Sequence, residues 1–393
     1  MIDMINAKHL IKNHAAQNIP ITFEEAYALG CYLMEGCRGN VLAQNQCIAI
    51  LCALHTKATY LWQWNEQDEK IHGDRLPKNA AEQVAGLCAA IFDHDIGKSQ
   101  FGFLEPDVPF AMDNCGMGGD LIVTANVSTI AAFIAAAAEI PMCKHGSPAN
   151  ADQGRHGSSD FIDLCGIDRF PSRQEAEECL KNLAFCYTEA VDTRYKLIHL
   201  QTHTVAQLPH MNDILGPITN PLSPKKHTRR VLGVNHLIPP SVIAQTYRIL
   251  NEKGFTSLEH AFFVRGFVGS SCTSGIDELS ICKEGTQVVE LINGEIKELR
   301  LFAEDFGIAP ISPEYVSPPT GKSKGEFSLS IVRRQVPKPT IQMVAANAAL
   351  LFLLADRSTD LKDCYRQAEN ILLSGQALQR MNDVGRMLPK KSN

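Results

Sequence analysis

The chain has 393 residues, 45% of them hydrophobic and 20% charged, with a formal net charge of -6. That is chain enough for two or three domains around a large core, and the composition excludes a disordered or collagen-like protein. The acidic balance excludes a general polyanion binder, so any phosphate site must be local, built from loops and one or two cations. Thirteen cysteines include no Cys-x-x-Cys pair; the closest spacings are Cys31 to Cys37 and Cys47 to Cys52. The spacing offers no metal site, the odd count argues against a full disulfide framework, and most of these thiols sit in apolar runs, as small buried residues do in a reducing compartment. The first residues, which include Asp3 and Lys8, do not form a signal peptide. The apolar runs at 130–138 and 350–355 are too short to span a bilayer. A cytoplasmic protein without a membrane partner is expected.

In chain order, Thr22-Phe23-Glu24-Glu25 reads as a capping box ahead of a helix carrying Ala26, Leu29, Leu33 and Met34 on one face. The run 44–55 is apolar on nearly every side, which suits a helix buried in the domain or at a partner interface. Residues 59–79, polar and aromatic with Trp62 and Trp64, read as an excursion, and 80–95 as a further helix. From about Pro109 the pattern changes. Residues 110–112 read as a strand, 128–140 as a helix, and Met142 begins another strand. Helices follow at 160–164 and 173–185. A buried strand at 231–234, a helix at 240–250 and a strand at 261–264 come next. Asn293-Gly294 between two alternating runs is a strong hairpin signal. Residues 309–340, rich in Pro, Ser and Lys, read as a long surface segment, and helices at 340–354 and 360–378 close the chain. Strands alternating with helices predict an α/β fold: a small α-helical N-terminal domain over 1–100, completed by a helix or two near 170–205, and a larger α/β domain over 101–393 with a mainly parallel central sheet.

Three stretches carry chemistry. In the first, Gly116, Gly118 and Gly119 let the backbone approach a ligand and aim amides at it, and Asp120 follows. Asn126-Val127-Ser128-Thr129 then opens a helix whose first amides and dipole favour an anion. Lys144-His145-Gly146 returns a positive charge. In the second, Asp277-Glu278 follows a Gly/Ser-rich loop (269–275), and adjacent carboxylates at a strand end suit Mg²⁺, which is commonly held by one or two carboxylates and substrate phosphates; a solvated acidic pair is the alternative, as a turn cap is for Asp120. In the third, two prolines stiffen the Leu215-Gly216-Pro217-Ile218-Thr219-Asn220-Pro221 loop. Basic clusters at 225–230 and 322–324 read as solvated loops.

In these motifs the chain resembles the anthranilate phosphoribosyltransferase family. Gly116-Met117-Gly118-Gly119-Asp120 is similar to its Gly-Thr-Gly-Gly-Asp loop, Asn126–Thr129 to Asn-Ile-Ser-Thr, and Lys144–Gly146 to the start of Lys-His-Gly-Asn. Leu215–Pro221 is similar to Leu-Gly-Pro-Leu-Thr-Asn-Pro, and Gly275-Ile276-Asp277-Glu278 to Gly-Leu-Asp-Glu. Similar runs also occur at Asp305–Gly307 and Ala345–Ala348.

The resemblance implies a nucleoside phosphorylase-like fold. It further implies Mg²⁺-dependent transfer of a 5-phosphoribosyl group from phosphoribosyl pyrophosphate (PRPP), and a homodimer formed through the helical domain. Gly116, Gly118, Gly119, Asp120, Asn126, Ser128, Thr129, Lys144 and Gly146 would bind PRPP, while Asp277 and Glu278, with Ser128, would hold the metal. No covalent nucleophile is required. The acceptor side departs from the family: Ser147 stands where the family has asparagine, the loop 147–156 is longer, and the family's acceptor-holding arginine falls near Thr202-His203. Ser147 and His203 are the acceptor candidates, and an anthranilate carboxylate would want a bidentate arginine instead. An aromatic or nitrogen-containing acceptor other than anthranilate is therefore the expectation. The alternatives are anthranilate itself, as in tryptophan biosynthesis, phosphorolysis of a nucleoside, and a non-catalytic paralogue that binds nucleic acid, which the net charge disfavours.

Overall fold

The computed structural model describes residues 9, 12, 21–40, 46–55, 75–120, 122–148, 157–199, 210–236, 238–269 and 275–391. The chain forms two compact units. One takes Met1–Phe103, Ala190–Pro221 and Leu237–Ser257; the other takes Leu104–Glu189, Leu222–His236 and Leu258–Asn393.

The first unit is helical. Its helices are Phe23–Cys37, residues 46–55, Arg75–Ala90 (extended by a π turn at Ile91–Ile96), Asn212–Ile218 and Pro240–Glu252. The expected capping box is present: the Glu25 amide donates to Thr22 Oγ1 at 3.2 Å, and the Thr22 amide to Glu25 Oε2 at 3.0 Å. Gly86 lets the Arg75–Ala90 helix press against the start of the first, since a Cβ there would overlap the Phe23 carbonyl. The 215–221 stretch, expected as a stiff loop, instead begins inside a helix with Pro217 in it. A helix this short loses little to a proline, and the Thr219 hydroxyl bonds back to the Leu215 carbonyl at 2.9 Å.

The second unit is built on a seven-stranded sheet. The strands are β1 (Met112–Gly116), β2 (Met142–Gly146), β3 (Phe185–Glu189), β4 (Arg229–Gly233), β5 (His260–Gly266), β6 (Thr286–Ile292) and β7 (Glu295–Leu301). They lie in the order β3-β2-β1-β4-β5-β6-β7. The first five are parallel, and the β6–β7 hairpin adds two antiparallel strands. The α/β class with a mainly parallel sheet is as the sequence predicts. The Val127–Ala137 helix, almost wholly apolar, is buried along its length, with Phe133 stacked on Phe185 of β3 at 4.2 Å between centroids.

Several boundaries differ from expectation: the helix read over 80–95 begins at Arg75, inside the run read as an excursion, and the one read over 128–140 ends at Ala137. The strand read at 110–112 begins at Met112, because the polar Asp113 and Asn114 are buried and partnered within β1. The helix read over 173–185 ends at Leu183, and Ala184 in the left-handed region turns the chain into β3. The surface segment read over 309–340 holds a helix, Lys324–Val332, with Phe327, Ile331 and Val332 buried. The last helix read, 360–378, is two, Leu361–Ser374 and Gln376–Met387, broken at Gly375 with φ +86°. The run 56–74, the loop 149–156, Thr202-His203 and 270–274 lie outside the described residues.

Candidate active site

Four parallel strands end in glycine at the same edge of the sheet: Gly116, Gly146, Gly233 and Gly266. Strand order reverses direction between β1 and β4, and the crevice beyond the carboxyl ends of strands at such a point is where open α/β sheets bind ligands. Three of these glycines are there because a carboxylate loop needs their space. A Cβ on Gly116 would overlap the Asp277 carboxylate, one on Gly233 the Asp277 carbonyl, and one on Gly266 the Glu278 carbonyl. The expected phosphate loop and the expected metal carboxylates are thereby in direct contact.

Hydrogen bonds fix that contact. The Gly118 amide donates to Asp277 Oδ2 at 2.6 Å, and the Asp277 amide donates to both Asp120 oxygens at 3.0 and 3.1 Å. Gly118 and Gly119 have φ of +73° and +77°, which a side chain would resist. Asn235 steadies the loop by donating to the Gly118 carbonyl at 3.0 Å. Behind the carboxylates, Asn347 clamps the chain by accepting from the Leu279 amide at 3.0 Å and donating to the Leu279 carbonyl at 2.9 Å.

Three carboxylates therefore crowd one place, and the titration of Asp120 and Glu278 is shifted by it. Burial first, then the Asp277 charge, holds Asp120 well above the usual carboxylate range. Burial, then Asp277, pushes Glu278 up to about 8; the Thr124 hydroxyl and Val127 amide pull the other way by hydrogen bonding. Glu278 Oε2 is buried without a hydrogen-bond partner. An orphaned carboxylate oxygen beside a second acid costs free energy that a divalent cation would relieve. Among the described residues no three His, Cys, Asp or Glu side chains form a metal cage; Mg²⁺ is commonly held by one or two carboxylates plus phosphate and water oxygens.

The remaining donor-site candidates converge on the same edge in different ways. The Asn126 amide and Nδ2 both bond the Ser328 hydroxyl, at 2.8 and 3.1 Å. Ser128 sits half-buried in the first turn of the Val127–Ala137 helix, and its carbonyl accepts from Asn114 Nδ2 at 3.0 Å. Thr129 is fully buried and donates to Ser158 Oγ at 3.4 Å. Gly146 leaves room for Ser158 and Tyr187. Lys144 is fully buried, donates to the His145 carbonyl at 2.6 Å, and has its pKa lowered by burial. Ser147 is exposed, and His203 lies outside the described residues.

Sequence reasoning missed the supports. Asp113 and Arg230, both fully buried, pair at 2.9 Å, and Asp113 also accepts from the His145 amide at 3.1 Å. Arg230 belongs to the cluster expected to be solvated, and His227 there is buried too, its pKa lowered to about 3 by burial and by Arg230. Arg265 bonds the Asn235 carbonyl at 2.6 Å; burial brings its pKa down to about 10 against the pull of Asp120. The one signal for Arg230 was its place in β4, where alternate residues face inward. A cleft of about 520 Å³ lined by Lys322, Glu326, Ser330 and Arg333, among others, includes none of the expected site residues.

Residues 109–378 match the family model described as glycosyl transferase family, a/b domain. The chain is 32% identical over 273 residues to the anthranilate phosphoribosyltransferase of Pseudoalteromonas translucida, covering 69% of this chain and 72% of the relative. It belongs to the anthranilate phosphoribosyltransferase family. The family's enzyme from Symbiobacterium thermophilum is 30% identical over 289 residues, with 72% of this chain and 79% of the relative covered. Among solved structures, anthranilate phosphoribosyltransferase from Saccharomyces cerevisiae in complex with PRPP and Mg superposes with a TM-score of 0.74 at 18% identity, over 98% of this chain and 99% of that one. The Thermus thermophilus enzyme gives 0.71 at 22% identity, over 96% and 99%. At these identities the structures establish the family's fold, and the sequence relatives establish a phosphoribosyltransferase.

Proposed function

We propose that this phosphoribosyltransferase moves a 5-phosphoribosyl group from PRPP to an aromatic or nitrogen-containing acceptor in a Mg²⁺-dependent reaction. The observation that carries the reading is the junction of the Gly116–Asp120 loop with Asp277 and Glu278, an anion-binding turn in contact with an undersatisfied carboxylate pair. The yeast relative bound to PRPP and Mg supports the same choice of ligand.

The residues divide the work. Amides of the glycine loop beyond Gly118, whose own amide holds Asp277, and of the first turn of the Val127–Ala137 helix, with the Ser128 hydroxyl, cradle phosphate oxygens. Lys144, buried in β2 beside β1, adds positive potential. Asp277 and Glu278 would hold Mg²⁺ with Ser128; when bound, the ion neutralises charge developing on the pyrophosphate leaving group. As the bond from ribose carbon to pyrophosphate breaks, the carbon becomes oxocarbenium-like, the acceptor's lone pair forms the new bond to it, and the proton lost by an N–H acceptor passes to the released pyrophosphate or to water. These donors need no reorganisation at that moment, which is how fixed dipoles lower a barrier.

For the acceptor, Ser147 in place of asparagine and the missing arginine favour a molecule without the anthranilate carboxylate. Anthranilate itself is the second reading, favoured by the activity named for the sequence relatives. Assay of pyrophosphate release from PRPP with a panel of amines and heteroaromatic acceptors decides between them. Turnover with another acceptor at a kcat/KM at least about tenfold above anthranilate supports the first, since a lost bidentate pair is worth that much or more. Preference for anthranilate supports the second, and no release with any acceptor refutes the transferase reading. A homodimer through the helical unit and a cytoplasmic setting complete the proposal; among the described residues no helix is long and apolar enough to cross a membrane.

A further inference from the structure

The Lys324–Val332 helix was invisible in the sequence, and its fifth residue, Ser328, bonds Asn126 of the phosphate site. Ser328 accepts from the Asn126 amide and Nδ2, and its own hydroxyl donates to the Lys324 carbonyl at 2.8 Å. Asn126 is the N-cap of the Val127–Ala137 helix. One hydroxyl thus ties Lys324, at the first position of one helix, to the amide-bearing end of another.

Lys324 differs from Lys144 in what it has left to give. Lys144 is fully buried, with its ammonium bonded to a carbonyl. Lys324 is half-buried, and among the described residues its ammonium makes no hydrogen bond or ion pair; its charge is felt at Glu278, whose Oε2 lies buried without a partner. A flexible ammonium whose charge reaches a metal-type carboxylate, on a helix tied to the start of the Val127–Ala137 helix, is suited to a polyphosphate, which brings both the cation for Glu278 and the anion for Lys324.

We propose that Lys324 is a further ligand-binding residue of this site, a cation for the diphosphate end of PRPP that the Ser328–Asn126 contact positions. The proposal rests on the phosphoribosyl reading. Calorimetric titration of the whole protein in Mg²⁺ with three probes tests it: PRPP, inorganic pyrophosphate and ribose 5-phosphate. Lys324→Met should weaken PRPP and pyrophosphate about tenfold or more, the loss of a charge-assisted contact, with ribose 5-phosphate unchanged. Lys324→Arg should restore most of the affinity, which a merely structural role would not require, and Lys322→Met, two residues before the helix, should change nothing. Wild-type binding of PRPP with Lys324→Met unchanged, or equal weakening of all three probes, overturns the role of Lys324 alone. A wild-type protein that binds neither PRPP nor pyrophosphate overturns the phosphoribosyl reading, and this proposal falls with it.

Discussion

Glu278 shows at the level of one side chain how the site trades stability for function. Burial and the Asp277 charge raise its pKa from 4.5 to about 8. A carboxyl raised in the folded state binds its proton more tightly there than in the unfolded chain. The stability it contributes is complete below about pH 4.5 and is lost as pH rises to about 8, a change on the order of a few kcal/mol. Metal-free protein should therefore lose part of its melting temperature between about pH 6 and about pH 8.5, and Glu278→Gln should remove that part of the slope while abolishing Mg²⁺-dependent turnover. Thermal unfolding of both proteins at the two pH values checks this; identical slopes would mean that Glu278 is not strained. The same residue was legible in the sequence as half of Asp277-Glu278. Its strain was not, because burial is a property of what packs around it.

At the scale of the element, the glycine loop and the carboxylate loop act as one unit, and the glycines can be separated by what their missing Cβ would meet. Gly118 faces open space at φ +73°, Gly116 faces the Asp277 side chain, and Gly233 faces the Asp277 main chain. Gly118→Ala should cost about 1 kcal/mol of strain. Gly116→Ala should displace the Asp277 carboxylate, so that activity falls at least about tenfold with stability changed by about 1–2 kcal/mol. Gly233→Ala forces backbone apart and should destabilise most, by about 3 kcal/mol or more. Denaturant unfolding beside turnover orders the three, and an active, stable Gly233→Ala would contradict the packing described. Gly116–Asp120 and Asn126–Thr129 could be read from sequence because phosphate chemistry dictates local residue types. The Lys324–Val332 helix could not, since Pro318, Pro319, Gly321 and two serines flank it and its buried face is short. Arg230 was hidden for the converse reason: a charged residue in a basic run looks solvated until Asp113, more than a hundred residues away, is placed beside it.

For the whole molecule, the periodic pattern foretold the α/β class, and the parallel order β3-β2-β1-β4-β5 explains why motifs far apart in sequence meet: β1, β4 and β5 are neighbours, so the loop after β1 reaches the Asp277 loop that follows β5. Membership of the anthranilate phosphoribosyltransferase family fits that geometry. The central claim is that this edge of the sheet is a PRPP and magnesium site. Calorimetric titration with PRPP, with and without Mg²⁺, tests it most directly, on the wild-type protein and on a variant carrying both Asp277→Ala and Glu278→Ala. Mg²⁺ should strengthen binding to the wild type, and the folded double variant should lose that Mg²⁺ effect. Absence of PRPP binding to the wild type, or an undiminished Mg²⁺ response in the variant, would contradict the central claim.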